Sequence, residues 1–136
     1  MGKITTYYKG DMLFESKLGN HVISTDVPAN PVWKGQDRAP TPPEFFLLSI
    51  GSCVAAFVVQ YCNNAGIDTK DMSVDVSYDK VEKPAHLTNI CVNVNLPNGD
   101  LKERKSAVQR VAERCTVHET LRKLDNIAID ITDMSA

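Results

Sequence analysis

An α+β fold, with antiparallel sheets and one long buried central helix, is what this sequence predicts, and three features predict it. The first thirty residues and the stretch from Met72 to Leu96 alternate apolar and polar side chains with the period of strands. Between them lies an almost unbroken apolar run, Phe45 to Val59, too long for a strand. Beyond them come two short segments with one apolar and one charged face, the mark of surface helices. The order read from the chain is β-β-β-α-β-β-α-α-β, which places helices between groups of antiparallel strands.

The N-terminal strands are Ile4–Tyr8, Met12–Ser16 and His21–Ser24, joined by turns at Lys9-Gly10-Asp11 and Leu18-Gly19-Asn20. Prolines 28, 31, 40, 42 and 43 together with Gly35 then exclude any lasting helix or central strand between Val27 and Pro43. That segment is a surface loop, the kind of segment that often carries function. Pro42 and Pro43 suit the first turn of a helix, where their missing N–H groups are not needed, and Glu44 adds a favourable charge there. The helix runs to about Tyr61 and is stopped by Asn63-Asn64-Ala65-Gly66. Apolar residues cover nearly every face, so it must be enclosed by a sheet on one side and by something else, such as a second subunit, on the other.

Met72, Val74, Val76 and Tyr78 alternate with Ser73, Asp75, Ser77 and Asp79 to give the next strand, whose partner is Leu87–Leu96 after a turn at Lys83-Pro84-Ala85. Asp100 and Glu103 have capping-box spacing for a helix bearing Leu101, Val108, Val111 and Ala112 on its buried face. Thr116 and Glu119 repeat that spacing for a helix ending near Lys123, and Ile127, Ile129 and Ile131 alternate as a last strand.

The 136 residues suit a single domain, 1–136, and 43% hydrophobic with 24% charged residues is an ordinary globular composition. A net charge of −2 argues against nucleic-acid binding by phosphate neutralisation and against a polybasic membrane anchor. The N-terminus lacks the charged and apolar regions of a secretory signal, so the expected compartment is the cytoplasm. The apolar run is broken by Ser49, Gly51 and Ser52 and reads as a buried helix and not a membrane span.

Chemistry is carried first by cysteines, at 53, 62, 91 and 115. No pair has the C-x-x-C spacing of a zinc or thioredoxin-type site, which argues against a structural metal. Cys53 lies nine residues after Glu44, which puts the two on opposite faces of a straight helix about 13.5 Å apart. Cys62 stands nine residues further still, on the face opposite Cys53, so these two cannot form a local disulfide. Arg38, in the proline-rich loop, is either a solvated surface arginine or a cation fixed by Glu44 near Cys53, where it would favour the thiolate. Cys115 sits beside a helix N-terminus, whose positive end also favours thiolate; the competing reading is a small apolar anchor. His118 could serve a cysteine-dependent hydrolase as base, but nothing in the sequence is seen to orient it.

The run Pro40-Thr41-Pro42-Pro43-Glu44-Phe45-Phe46-Leu47-Leu48-Ser49-Ile50-Gly51-Ser52-Cys53, with Glu113-Arg114-Cys115-Thr116-Val117-His118-Glu119-Thr120-Leu121 some sixty residues later, resembles the osmotically inducible protein C and organic hydroperoxide resistance (OsmC/Ohr) family. The element order matches along essentially the whole chain. The resemblance implies an intertwined homodimer with active sites at its interface and a thiol-dependent peroxidase without cofactor or metal. It makes Cys53 the peroxidatic cysteine, Cys115 the resolving one, and Arg38 with Glu44 the pair that polarises the site. An external dithiol, dihydrolipoamide in several relatives, would be the reductant, and an organic hydroperoxide the substrate. Thr116 replaces the proline that often follows the second cysteine in the family. The alternative function is a non-catalytic dimeric protein that binds a small molecule in an apolar pocket.

Overall fold

The computed structural model describes residues 2–135 and is α+β, with antiparallel sheets and three α-helices. By internal contacts it divides into two compact units, one of residues 1–49 and 76–91, the other of residues 50–75 and 92–136. The long helix and the second hairpin each contribute one end to each unit.

In the first unit, β1 (Thr5–Tyr8), β2 (Phe14–Leu18) and β3 (His21–Thr25) form an antiparallel sheet in that order. Thr5 faces Lys17, Tyr8 faces Phe14 and Phe14 faces Thr25. The Tyr8 and Phe14 rings meet at 5.4 Å, and the Thr6 and Ser16 hydroxyls bond at 2.7 Å, so cross-strand pairs hold the register. The first turn is longer than the sequence suggested. Gly10, Asp11 and Met12 all take positive φ, which withdraws Met12 and Leu13 from the predicted strand.

The loop after β3 is organised by a carboxylate. Asp26 is fully buried, and its oxygens accept the backbone N–H groups of Val27 (2.8 Å), Gln36 (3.3 Å) and Arg38 (3.2 Å). Gly35 belongs to this wrap because nothing larger fits. A Cβ there would lie 1.8 Å from the Val27 carbonyl oxygen and 3.0 Å from Asp26 Oδ1.

Helix α1 spans Pro42–Ala65 and is closed by Gly66, whose φ of +69° is open to glycine without strain. At 24 residues it is long and apolar enough by composition to cross a membrane. In this fold Val54, Val58 and Cys62 form a buried stripe at four-residue spacing. Within the second unit that stripe packs with Val108 and Cys115, flanked by Phe57, Met72, Val94 and Leu96. The enclosure predicted for the whole helix is incomplete in one chain. Phe46 and Leu48 remain 37% and 57% exposed.

Strands β4 (Ser73–Glu82) and β5 (Ala85–Asn95) pair as a hairpin across Lys83-Pro84. A single 3₁₀ turn, Lys102–Arg104, precedes α2 (Lys105–Glu113). Here the predicted capping box is corrected. Asp100 Oδ1 accepts the Lys102 N–H, closing a local turn, so the α-helix begins only afterwards. Helix α3 is Thr116–Lys123. The last predicted strand does not form: Ile127, Ile129 and Ile131 are 68%, 83% and 93% exposed, and among the described residues no strand pairs with them. Alternation alone makes no strand when the backbone N–H and C=O groups find no ladder.

Gly35→Ala is therefore expected to displace the Asp26 loop and destabilise the protein by about 1–3 kcal/mol, as overpacking does. Faster amide exchange at Gln36 and Arg38 with a lowered melting temperature would verify this, and unchanged exchange would contradict it.

Candidate functional site

The second unit brings Cys53 and Cys115 together. Cys53 projects from the middle of α1 and is half-buried; Cys115 occupies the N-cap of α3 and is completely buried. Cys53 packs against the buried cluster that contains Cys115, and the two thiols are near enough to perturb one another. Cys115 lies where the sequence put it, at a helix N-terminus, but as the cap itself, so the capping residue is not Thr116. Its Sγ accepts the His118 N–H at 3.3 Å.

The two readings left open for Cys115, thiolate at a helix end or small apolar anchor, are weighed by its surroundings. Burial pushes its thiol up, and the neighbouring Cys53 thiol pushes the same way, while the His118 and Val117 N–H groups pull down. Desolvation outweighs the helix end, so Cys115 holds its proton. The anchor reading of Cys115 and its proximity to Cys53 hold together. Cys62, also fully buried, is raised by burial and belongs to the same core. Cys91 is exposed on β5.

Arg38 and Glu44, in the first unit, are each held by a partner other than the one suggested by the sequence. Arg38 Nε meets Asp26 Oδ2 at 2.9 Å and its Nη2 donates to the Asp11 carbonyl at 2.6 Å, with the side chain 32% exposed. The Arg38 guanidinium and three backbone N–H groups hold the Asp26 carboxyl well below the usual range despite its burial. Glu44 accepts the Thr41 N–H (2.9 Å) and hydroxyl (2.8 Å), which lowers its carboxyl as well. Thr41-x-x-Glu44 is thus a helix-capping device, and the carboxylate on Arg38 is that of Asp26. The sequence signal for Asp26 was available, an acid at the mouth of a proline-rich loop, but only burial shows that it needs a cation.

Two concavities accompany these groups. In the first unit an apolar cavity of about 740 Å³ is lined by Phe14, Ile23, Trp33, Pro43, Phe45 and Leu87 among others, with Lys80 and His86 its ionisable members. In the second, one of about 260 Å³ lies between apolar residues, including Val54 and Val108, and the polar side chains of Lys105, Gln109, Glu113 and His118. Among the described residues no cluster of three or more His, Cys, Asp or Glu side chains could hold a metal ion.

This arrangement is a fold with a half-buried and a buried thiol in one cluster, and the chain belongs to the OsmC-like protein family, whose model matches residues 35–131. Solved structures share the fold. A protein of Psychrobacter arcticus 273-4 named for an osmotic stress induced and detoxification response superposes with a TM-score of 0.76 at 18% identity, over 88% of each chain. An organic hydroperoxide resistance protein OsmC from Legionella pneumophila gives 0.63 at 17% identity, over 90% of each chain. The organic hydroperoxide resistance protein OhrB of Bacillus subtilis gives 0.59 at 17%, over 90% of this chain and 91% of its own. A comparison with curated protein sequences finds no significant match.

The charge states define two arms of a pH profile. Asp26, lowered by folding, contributes stability above the ordinary carboxylate pKa of about 4, and that contribution is lost as pH falls. Cys62 and Cys115, raised by folding, contribute below the ordinary thiol pKa of about 8.5, and that is lost as pH rises. Urea midpoints of the reduced protein should therefore decline on both sides of neutrality, with Asp26→Asn flattening the acid arm alone. A flat profile from pH 7 to 10 would contradict the burial of the thiols.

Proposed function

We propose that the protein is a thiol-dependent peroxidase that reduces organic hydroperoxides. The observation that carries this reading is the proximity of Cys53 and Cys115 in one packed cluster, distant in sequence and buried to different degrees. The more accessible sulfur, Cys53, attacks the peroxide. Its thiolate takes one oxygen to become a sulfenic acid, and the O–O bond breaks to leave an alkoxide that is protonated to the alcohol. Cys115, still a thiol and already in contact, then attacks the sulfenic sulfur. A disulfide forms, and the hydroxyl leaves as water with the Cys115 proton. Trapping the sulfenic acid in this way prevents its further oxidation.

The family supports a peroxide-related redox role, and two of the structural neighbours carry the name of hydroperoxide resistance. The reading further assigns Arg38 and Glu44 to polarisation of the peroxide and an external dithiol, of the dihydrolipoamide type, to reduction of the disulfide. It takes the working form as an intertwined cytoplasmic homodimer. Apolar side chains left exposed by one chain, Phe46 and Leu48 on α1 and Ile127, Ile129 and Ile131 beyond α3, favour a second copy. The apolar cavity of the first unit favours a second reading, a small-molecule-binding protein without turnover.

One equivalent of cumene hydroperoxide added to the reduced protein should consume two thiols per chain and join Cys53 to Cys115; intact thiols would favour the binding protein. Cys53→Ser should abolish turnover. Cys115→Ser should allow one round and leave Cys53 to be over-oxidised, visible by mass spectrometry as added oxygens. Arg38→Ala and Glu44→Gln should each slow Cys53 oxidation at least tenfold, whereas unchanged rates would remove those two residues from the mechanism.

A further inference from the structure

His118, which had no visible partner in the sequence, is oriented by the fold. Its ring Nδ1 lies 2.6 Å from the Glu113 carbonyl oxygen. That oxygen can only accept, so Nδ1 carries a hydrogen, and in the neutral ring the lone pair falls on Nε2. The backbone N–H of the same residue donates to Cys115 Sγ. The ring, half-buried, lines the 260 Å³ cavity of the second unit, whose wall also includes Val54, the residue after Cys53, and Ala112, three before Cys115. One residue therefore donates its backbone N–H to Cys115 Sγ while its side chain lines a cavity whose wall includes near sequence neighbours of both cysteines.

We propose that His118 is the base of the reductive half-reaction, its Nε2 taking the proton from the incoming thiol of a dithiol reductant that enters by this cavity. The proposal rests on the peroxidase reading and assigns the step that closes its cycle. The incoming sulfur bonds to Cys53, the more accessible end of the disulfide, and its proton passes to Nε2. The Cys53–Cys115 bond breaks, and Cys115 leaves with the electron pair toward the His118 N–H, recovering the proton held on Nε2. The second thiol of the same reductant then attacks the mixed disulfide. The reductant departs as a cyclic disulfide and Cys53 is released reduced, so two electrons and two protons have passed from dithiol to protein. The peroxide step needs no such base, because there Cys115 hands its own proton to the departing hydroxyl.

The charged groups around the ring are accounted for. Lys105 and Glu113 share the cavity wall, with the Glu113 carboxylate accepting from the Gln109 amide at 2.9 Å. On α3, Glu119 is paired with Arg122 (2.8 Å) and Lys123 (3.8 Å).

The test forms the disulfide with diamide, so that no hydroperoxide is needed, and follows its reduction by dithiothreitol between pH 6.5 and 9.5. His118→Gln should slow reduction about 100-fold at pH 7, a usual contribution of a general base. The gap should close toward pH 9.5, where dithiothreitol ionises unaided, while oxidation of Cys53 by cumene hydroperoxide stays at the wild-type rate. His118→Ala should recover part of the loss when free imidazole is added. Slowing that is equal at every pH, equal in both half-reactions, or absent overturns the assignment, as does failure of imidazole to restore any rate. Failure of diamide to join Cys53 to Cys115 overturns this assignment and the peroxidase reading together. If hydroperoxide leaves the thiols intact but reduction still depends on His118, the peroxidase reading falls and the His118 assignment stands.

Discussion

The Cys115 sulfur has no access to water, and the groups that meet it are a second sulfur from the middle of a long helix and the N–H groups of its own helix's first turn. Much of the second unit follows from keeping it there. Burying a thiol costs little while it is neutral, since sulfur behaves as a small hydrophobe, so Cys115 packs with Val58, Cys62 and Val108 like any core residue. The same burial withholds its ionisation and distinguishes the two sulfurs, Cys53 half-buried and Cys115 buried and protonated. Core packing and redox order are in this sense one arrangement.

The first unit is built around the opposite kind of group. A buried carboxylate is tolerated only when its lone pairs are filled, and Asp26 fills them with three backbone N–H groups and a guanidinium. The proline-rich segment is thereby wrapped onto a fixed point, with Gly35 where the chain passes closest. Arg38 is held at two of its nitrogens, and Glu44 Oε1 accepts from Thr41 at the start of α1. A loop free of secondary structure is thus not a free loop.

His118 joins two elements of the second unit. Its backbone N–H donates to Cys115 Sγ, and its ring, held at Nδ1 by a carbonyl five residues earlier, belongs to the lining of a cavity. The α3 N-terminus matters here less for its dipole than for the direction it gives to two nitrogens of one residue.

The strands of both sheets, the long helix behind its prolines and the two short helices were legible in the chain, because hydrophobic periodicity is a local property. The family was legible too, carried by the motifs around Cys53 and Cys115. The boundaries of β2 and α2 were misplaced where backbone turns that composition does not reveal, at Gly10–Met12 and Asp100–Lys102, claimed residues from the regular elements. The carboxylate partner of Arg38, the retained proton of Cys115, the orientation of His118 and the unpaired state of Ile127–Ile131 were all decided by tertiary structure. Each depends on which groups lose their water and which neighbour replaces it, and no spacing along the chain encodes that exchange.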